Sequence, residues 1–169
     1  ERSSRLVQVG RDFFFAPLSH SLEGQSMLVW SAEEQALVDG YVESGGRDSW
    51  EPSRLFLPLL GYHQVENAAT AYAALQVARG EGLKIGEQAI KDGFAKVFWP
   101  ARFEILSRHP MVIIDSAHNR DSALKLRLTL EDYLPERPVI LIFGASEDKD
   151  ISGMFAELLP RVRQVIATQ

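Results

Sequence analysis

The sequence predicts an α/β protein in two parts, on three observations. From Arg5 to Pro58, short apolar bursts are broken by Gly, Ser and Pro, the patterning of short strands and turns. From His63 to Val97, apolar residues recur at helical spacing and give two helices. Past Phe98-Trp99-Pro100, apolar strands alternate with amphipathic helices, the rhythm of βαβ units on a parallel sheet with right-handed connections. The boundary is therefore set at Phe98, with short strands plus two helices over 1–98 and part of a parallel α/β layer over 99–169.

In order, Leu6–Val9, Phe13–Leu18, Met27–Trp30, Leu37–Val42 and Leu55–Leu60 are the expected strands of a meandering sheet. Ser31-Ala32-Glu33-Glu34 reads as a helix start and Gly45-Gly46-Arg47-Asp48 as a loop. Phe13, Phe14 and Phe15 are read as core and edge packing in preference to a stacking platform. The first helix, His63–Arg79, sets Val65, Ala68, Ala69, Tyr72, Leu75 and Ala78 on one stripe, and its alanines allow close approach of a neighbour. Gly80 and Gly82 end it, and a second helix runs over Glu87–Val97 with Ile90, Phe94 and Val97 on one face. Strands at Phe103–Leu106 and Met111–Asp115 follow, then a helix over Arg120–Leu134, a strand Val139–Phe143, a helix Ile151–Leu159 and a strand Val165–Ala167. A sheet stopping at Gln169 would keep an open edge, so the expectation is that it continues past this chain.

At 169 residues the chain can bury one good core or two incomplete ones. A net charge of −5, with 18 Lys and Arg scattered among 23 acids, argues against a nucleic-acid binder. No apolar run approaches the ~20 residues of a membrane span, so no membrane partner is expected. Zero cysteines exclude a disulfide scaffold, a thiolate zinc site and a cysteine nucleophile, and fit a cytoplasmic protein. Glu1-Arg2-Ser3-Ser4 leads into Leu6–Val9 in place of the apolar core of a signal peptide, and the chain begins without methionine.

Chemistry concentrates in Phe98–Asp121. Asp115 follows Val112-Ile113-Ile114 at the carboxyl end of a strand, where open α/β sheets place ligands. Alone it would serve equally as a helix cap or an arginine partner. Asn119 can cap the following helix, which frees Asp115 and His118 to face the crevice. Arg102 would read as a surface charge paired with Glu104 if nothing else spoke for it. Asn67 lies at i+4 from His63, deep enough in its helix that capping does not explain it. Gly144–Asp150 repeats the strand-end-to-helix arrangement, but its acids oppose an anion site, and a plain loop is an equal reading. The chain has no G-x-x-x-x-G-K-[ST], no G-x-S-x-G, no H-E-x-x-H and no Cys/His cluster.

Four ordered blocks carry a resemblance: Leu60-Gly61-Tyr62-His63-Gln64-Val65-Glu66-Asn67-Ala68-Ala69, Trp99-Pro100-Ala101-Arg102-Phe103-Glu104, Ile114-Asp115-Ser116-Ala117-His118-Asn119 and Phe143–Ile151. Together they resemble the folylpolyglutamate synthase and dihydrofolate synthase group of Mur ligases. The resemblance implies the end of an ATP-binding central domain over 1–98 and the start of a Rossmann-like C-terminal ligase domain over 99–169. It implies an ATP- and Mg2+-dependent amide ligase that phosphorylates a folate or dihydropteroate carboxylate, whose acyl phosphate is then attacked by the amine of L-glutamate. It carries ATP contacts onto Asn67, Arg102 and Asp115, with His118 as a further contact and Arg102 and His118 as the catalytic pair. The family's P-loop, magnesium ligands and carbamylated lysine are expected upstream of Glu1, so no metal ligand is assigned here and this chain alone is expected to be inactive. Ser116 stands where the family usually has Gly, and Arg120 where it usually has Pro. Two alternatives remain: a Mur-type ligase acting on a UDP-sugar peptide, against which His63-Gln64 and Asp148-Lys149-Asp150 speak, and a non-catalytic nucleotide- or partner-binding module derived from a ligase.

Overall fold

The computed structural model describes residues 6–168. The readings of Glu1–Ser4 as a polar lead-in, of Arg5 as the first residue of the strand region and of Gln169 as a strand end lie outside the described residues. The chain divides into two compact units: one holds the residues up to Pro58 and Gln64–Phe98, the other Leu59–His63 and the residues from Trp99 onward.

In the first unit, β1 (Phe13–Ser21), β2 (Gly24–Ser31) and β3 (Ser53–Leu57) form an antiparallel meander in that order. Side chains alternate between faces along each strand. Met27, Val29, Leu55 and Leu57 therefore point into one core, with Phe13 and Phe15 packed against it, while Phe14 stacks on Trp30 across the other face at 6.2 Å. Two expected strands are corrected. Leu6–Val9 reduces to a single bridge between Val9 and Phe13. Leu37–Val42 belongs to α1 (Gln35–Glu43), entered through a single helical turn at Ala32–Glu34. Glu34 accepts the Ser31 amide N–H at 2.8 Å and its hydroxyl at 2.9 Å, which starts the turn. Pro58 offers no N–H and stops β3 at Leu57.

The helix α2 (Tyr62–Gly80) buries Val65, Ala68, Ala69, Tyr72 and Ala73, and α3 (Glu87–Ala95) adds Ile90 to the same core. Gly82, at φ 100°, closes α2: its N–H reaches the Arg79 carbonyl at 3.0 Å, and that of Leu83 reaches Ala78 at 2.9 Å.

In the second unit, β4 (Glu104–Arg108) and β5 (Met111–Ile114) form an antiparallel hairpin. This corrects the parallel reading there, because the two-residue link His109-Pro110 is far too short for a crossover. The parallel reading holds for β6 (Val139–Phe143), α5 (Ile151–Leu158) and β7 (Val162–Ala167), which make one βαβ unit. Ala123 of α4 (Arg120–Tyr133) packs with Met154 and Leu158 of α5 and with Leu141 and Phe143 of β6. Glu157 fastens α5 to α4 through Arg120 at 2.9 Å and Arg127 at 3.4 Å. The architecture is α/β, as the sequence implies.

Candidate functional site

Asp115 ends β5 and ties two loops together. Its Oδ2 accepts the Phe103 N–H and its Oδ1 the Ala117 N–H, both at 2.8 Å. The Ser116 N–H donates to the Ala101 carbonyl, also at 2.8 Å. The segment entering β4 is thereby zipped to the segment leaving β5. Asp115 takes neither plain role weighed for it: Asn119 caps α4, accepting the Ser122 N–H at 2.8 Å, and no arginine pairs with Asp115 among the described residues.

Arg102 sits on the zipped loop between two non-glycine residues with left-handed backbone, Ala101 at φ 55° and Phe103 at φ 47°. Such conformations cost on the order of 1–3 kcal/mol each and persist where surroundings over-determine them. Phe103 is buried and packs on Tyr133, with ring centroids 6.2 Å apart. Glu104 accepts the Ala101 N–H at 2.8 Å. The Arg102–Glu104 pair, the plain alternative for Arg102, is not among the ion pairs of the described residues; Glu104 Oε2 is bound to a backbone amide instead. Among the described residues Arg102 has no carboxylate partner. Its guanidinium lies 6.0 Å from the centroid of the exposed Trp99 ring.

His118 is exposed beside this loop, and its backbone N–H donates to Ser122 Oγ at 3.0 Å. Its Nδ1 lies 3.1 Å from the Ser116 carbonyl. A carbonyl only accepts, so in this contact Nδ1 donates, which leaves Nε2 for a further hydrogen bond. The loops thus bring Arg102, Asp115 and His118 together. Asn67 belongs to the other unit, on the exposed face of α2, where its amide donates to Gln64 Oε1 at 3.3 Å.

Residues 101–169 match the Mur ligase family through its glutamate ligase domain. The curated dihydrofolate synthase/folylpolyglutamate synthase of Escherichia coli is 44% identical over 92 residues, which are 54% of this chain and 21% of that protein. The solved folylpolyglutamate synthase of Mycobacterium tuberculosis complexed with ADP matches with a TM-score of 0.75 at 27% identity, over 95% of this chain and 32% of that one. By sequence and fold, the chain's relatives are the folylpolyglutamate and dihydrofolate synthases of the Mur ligase family. A folylpolyglutamate synthase–AMPPCP–folate complex matches likewise, with a TM-score of 0.76 at 26% identity over 98% of this chain and 37% of that one. The chain spans 12–24% of the length of the curated synthases it matches.

Within this ligase-like unit, Gly61 has φ 100°, and a Cβ on it would stand 2.5 Å from Thr129 Oγ1, so a side chain is excluded. Its N–H reaches the Tyr133 hydroxyl at 3.5 Å, and burial pushes that phenol above its ordinary range. In the Gly144–Asp150 loop, Asp150 caps α5, accepting the Gly153 N–H at 2.9 Å, and Asp148 binds its neighbour Lys149. Among the described residues no group of three or more His, Asp or Glu could hold a metal. No step is therefore routed through Mg2+.

The residue types give Glu104 only as a charge partner and Trp99 only as part of a boundary, because nothing in them marks Ala101 and Phe103 as left-handed.

Proposed function

We propose that this chain supplies part of the nucleotide site of an ATP-dependent carboxylate–amine ligase that adds L-glutamate to dihydropteroate or folate. The observation that carries the reading is Arg102, a guanidinium held on a pinned loop with no carboxylate partner among the described residues, near an exposed imidazole. In the proposed reaction, a substrate carboxylate oxygen attacks the γ-phosphorus of ATP and the bond to ADP breaks. The glutamate amine then attacks the acyl carbon, loses a proton and expels phosphate. Charge develops on the phosphoryl oxygens, where a preorganised guanidinium stabilises it most. Arg102 takes that role, and His118 offers Nε2 as a further contact. Asp115 retains lone pairs beyond its two amide bonds for a ribose hydroxyl. In its own unit, Asn67 presents a primary amide as a separate nucleotide contact.

Under this reading 1–98 is the end of the central ATP-binding domain and 99–169 the start of the C-terminal ligase domain. The proposed setting is the cytoplasm, with ATP, Mg2+ and folates as small-molecule partners. The support is the synthase likeness, including neighbours described as bound to ADP and to AMPPCP with folate. No helix among the described residues is long and apolar enough to cross a membrane.

Two measurements test it. The purified 169-residue chain, which lacks a P-loop motif, turns over no ATP and extends no folate; ligase turnover by it overturns that part. In the gene's full product, Arg102→Ala lowers turnover by about 10²-fold or more. An unchanged rate returns Arg102 to a surface charge.

A further inference from the structure

The turn carrying Arg102 is gripped on both sides by carboxylates that bind backbone, and only one of these, Asp115, stands at a strand end where a ligand is expected. Glu104 is the other. It opens β4, opposite Ile114 in the hairpin, so its side chain is mounted on the sheet and reaches back three residues to the Ala101 amide. The Ala101 carbonyl is held as well, by the Ser116 N–H. Both polar groups of the left-handed residue immediately before Arg102 are therefore fixed. A glutamate two residues from an arginine would ordinarily lie against it and compete with any incoming anion. Here its Oε2 is turned to the amide, and no ion pair between Glu104 and Arg102 forms among the described residues.

We propose that Glu104 is a positioning residue, whose carboxylate oxygen holds the Ala101 amide and thereby aims the Arg102 guanidinium over Trp99 toward an anionic phosphoryl ligand. The ligand half of this statement rests on the nucleotide-site reading, whereas the aiming does not. What the role requires is an acceptor oxygen at that reach; the negative charge is incidental. Glu104→Gln keeps the reach and an acceptor, and Glu104→Asp keeps the charge but falls one methylene short.

The test is nuclear magnetic resonance on the 169-residue chain, reading the ring-current shift that Trp99 imposes on the Arg102 side chain, followed by titration with MgADP and with inorganic tripolyphosphate. Glu104→Gln is expected to keep the Arg102 shift and to bind both probes as the parent chain does. Glu104→Asp is expected to lose the shift and to weaken binding by about tenfold, near 1.4 kcal/mol, while the Phe103 and Tyr133 ring resonances stay in place. Glu104→Asp behaving as the parent overturns the proposal, and so does Glu104→Gln behaving as Glu104→Asp. Binding of neither probe by the parent chain, with the shifts as expected, overturns the nucleotide reading and leaves the positioning role standing.

Discussion

Two loops in the second unit are built on one plan and put to different use. The loop after β5 and the loop after β6 each leave a strand end and enter a helix through an Asx cap. Asn119 accepts the Ser122 N–H at 2.8 Å, and Asp150 accepts the Gly153 N–H at 2.9 Å. The carboxylates between strand and cap differ. Asp115 reaches across twelve residues to the Phe103 amide and holds a second loop in place. Asp148 turns to the adjacent Lys149 and to Ser146, both within its own loop. Strand-end acids and capped helices therefore do not identify a ligand loop by themselves. What separates the two loops is a long-range bond from side chain to backbone, which fixes the residue next to Arg102.

The strongest way to break this contrast is at Asp115. Asp115→Ala strips the acceptor from the amides of Phe103 and Ala117, and an orphaned buried donor costs about 1–3 kcal/mol. Chemical denaturation should show a loss of that order, and Asp148→Ala should leave the midpoint where it is. Equal losses in the two variants would mean that both loops carry the same structural duty.

A smaller effect sharpens what the loops share. Asn119→Ala and Asp150→Ala each remove an N-cap, costing about 1 kcal/mol apiece. The consequences should differ in reach. Ser122 Oγ donates to Asn119 Oδ1 at 2.9 Å and accepts the His118 N–H at 3.0 Å. Asn119→Ala should therefore speed amide exchange at His118 as well as in the first turn of α4, whereas Asp150→Ala should loosen only the start of α5. Unchanged exchange at His118 would detach the imidazole from the cap.

Much of this was legible in the residues. Val139–Phe143 is a strand with the expected bounds because Pro138 and Gly144 close it on both sides. The alanine stripe fixed α2 within a residue at each end. Leu37–Val42 misled because a six-residue apolar burst satisfies either period, and the bonds between Ser31 and Glu34 decided for a helix. The hairpin of β4 and β5 was readable from the His109-Pro110 link and was overlooked in favour of the α/β rhythm. Asp115 and His118 could be picked from their place after a strand. Glu104 could not, because its role depends on left-handed backbone at Ala101 and Phe103, which residue types other than glycine do not signal.

The smallest effect examines whether the two loops are independent at all. Hydrogen bonds from Lys149 and Ser146 bring the Asp148 carboxyl down to about 2. A folded value below the unfolded one contributes stability above the ordinary carboxylate range, and that contribution is lost as pH falls through about 2. With the Asp148 side chain 68% exposed, salt screens the pair. Lys149→Met should move the Asp148 titration, followed by nuclear magnetic resonance, back toward the ordinary range without shifting the denaturation midpoint at neutral pH. The amide resonances of Ser116 and Ala117 should not respond, because among the described residues no hydrogen bond of either loop connects Asp148 to the Asp115 zipper. If those amides move with Lys149→Met, the loop after β6 acts on the one after β5, and the separation of the two loops gives way to a single coupled edge.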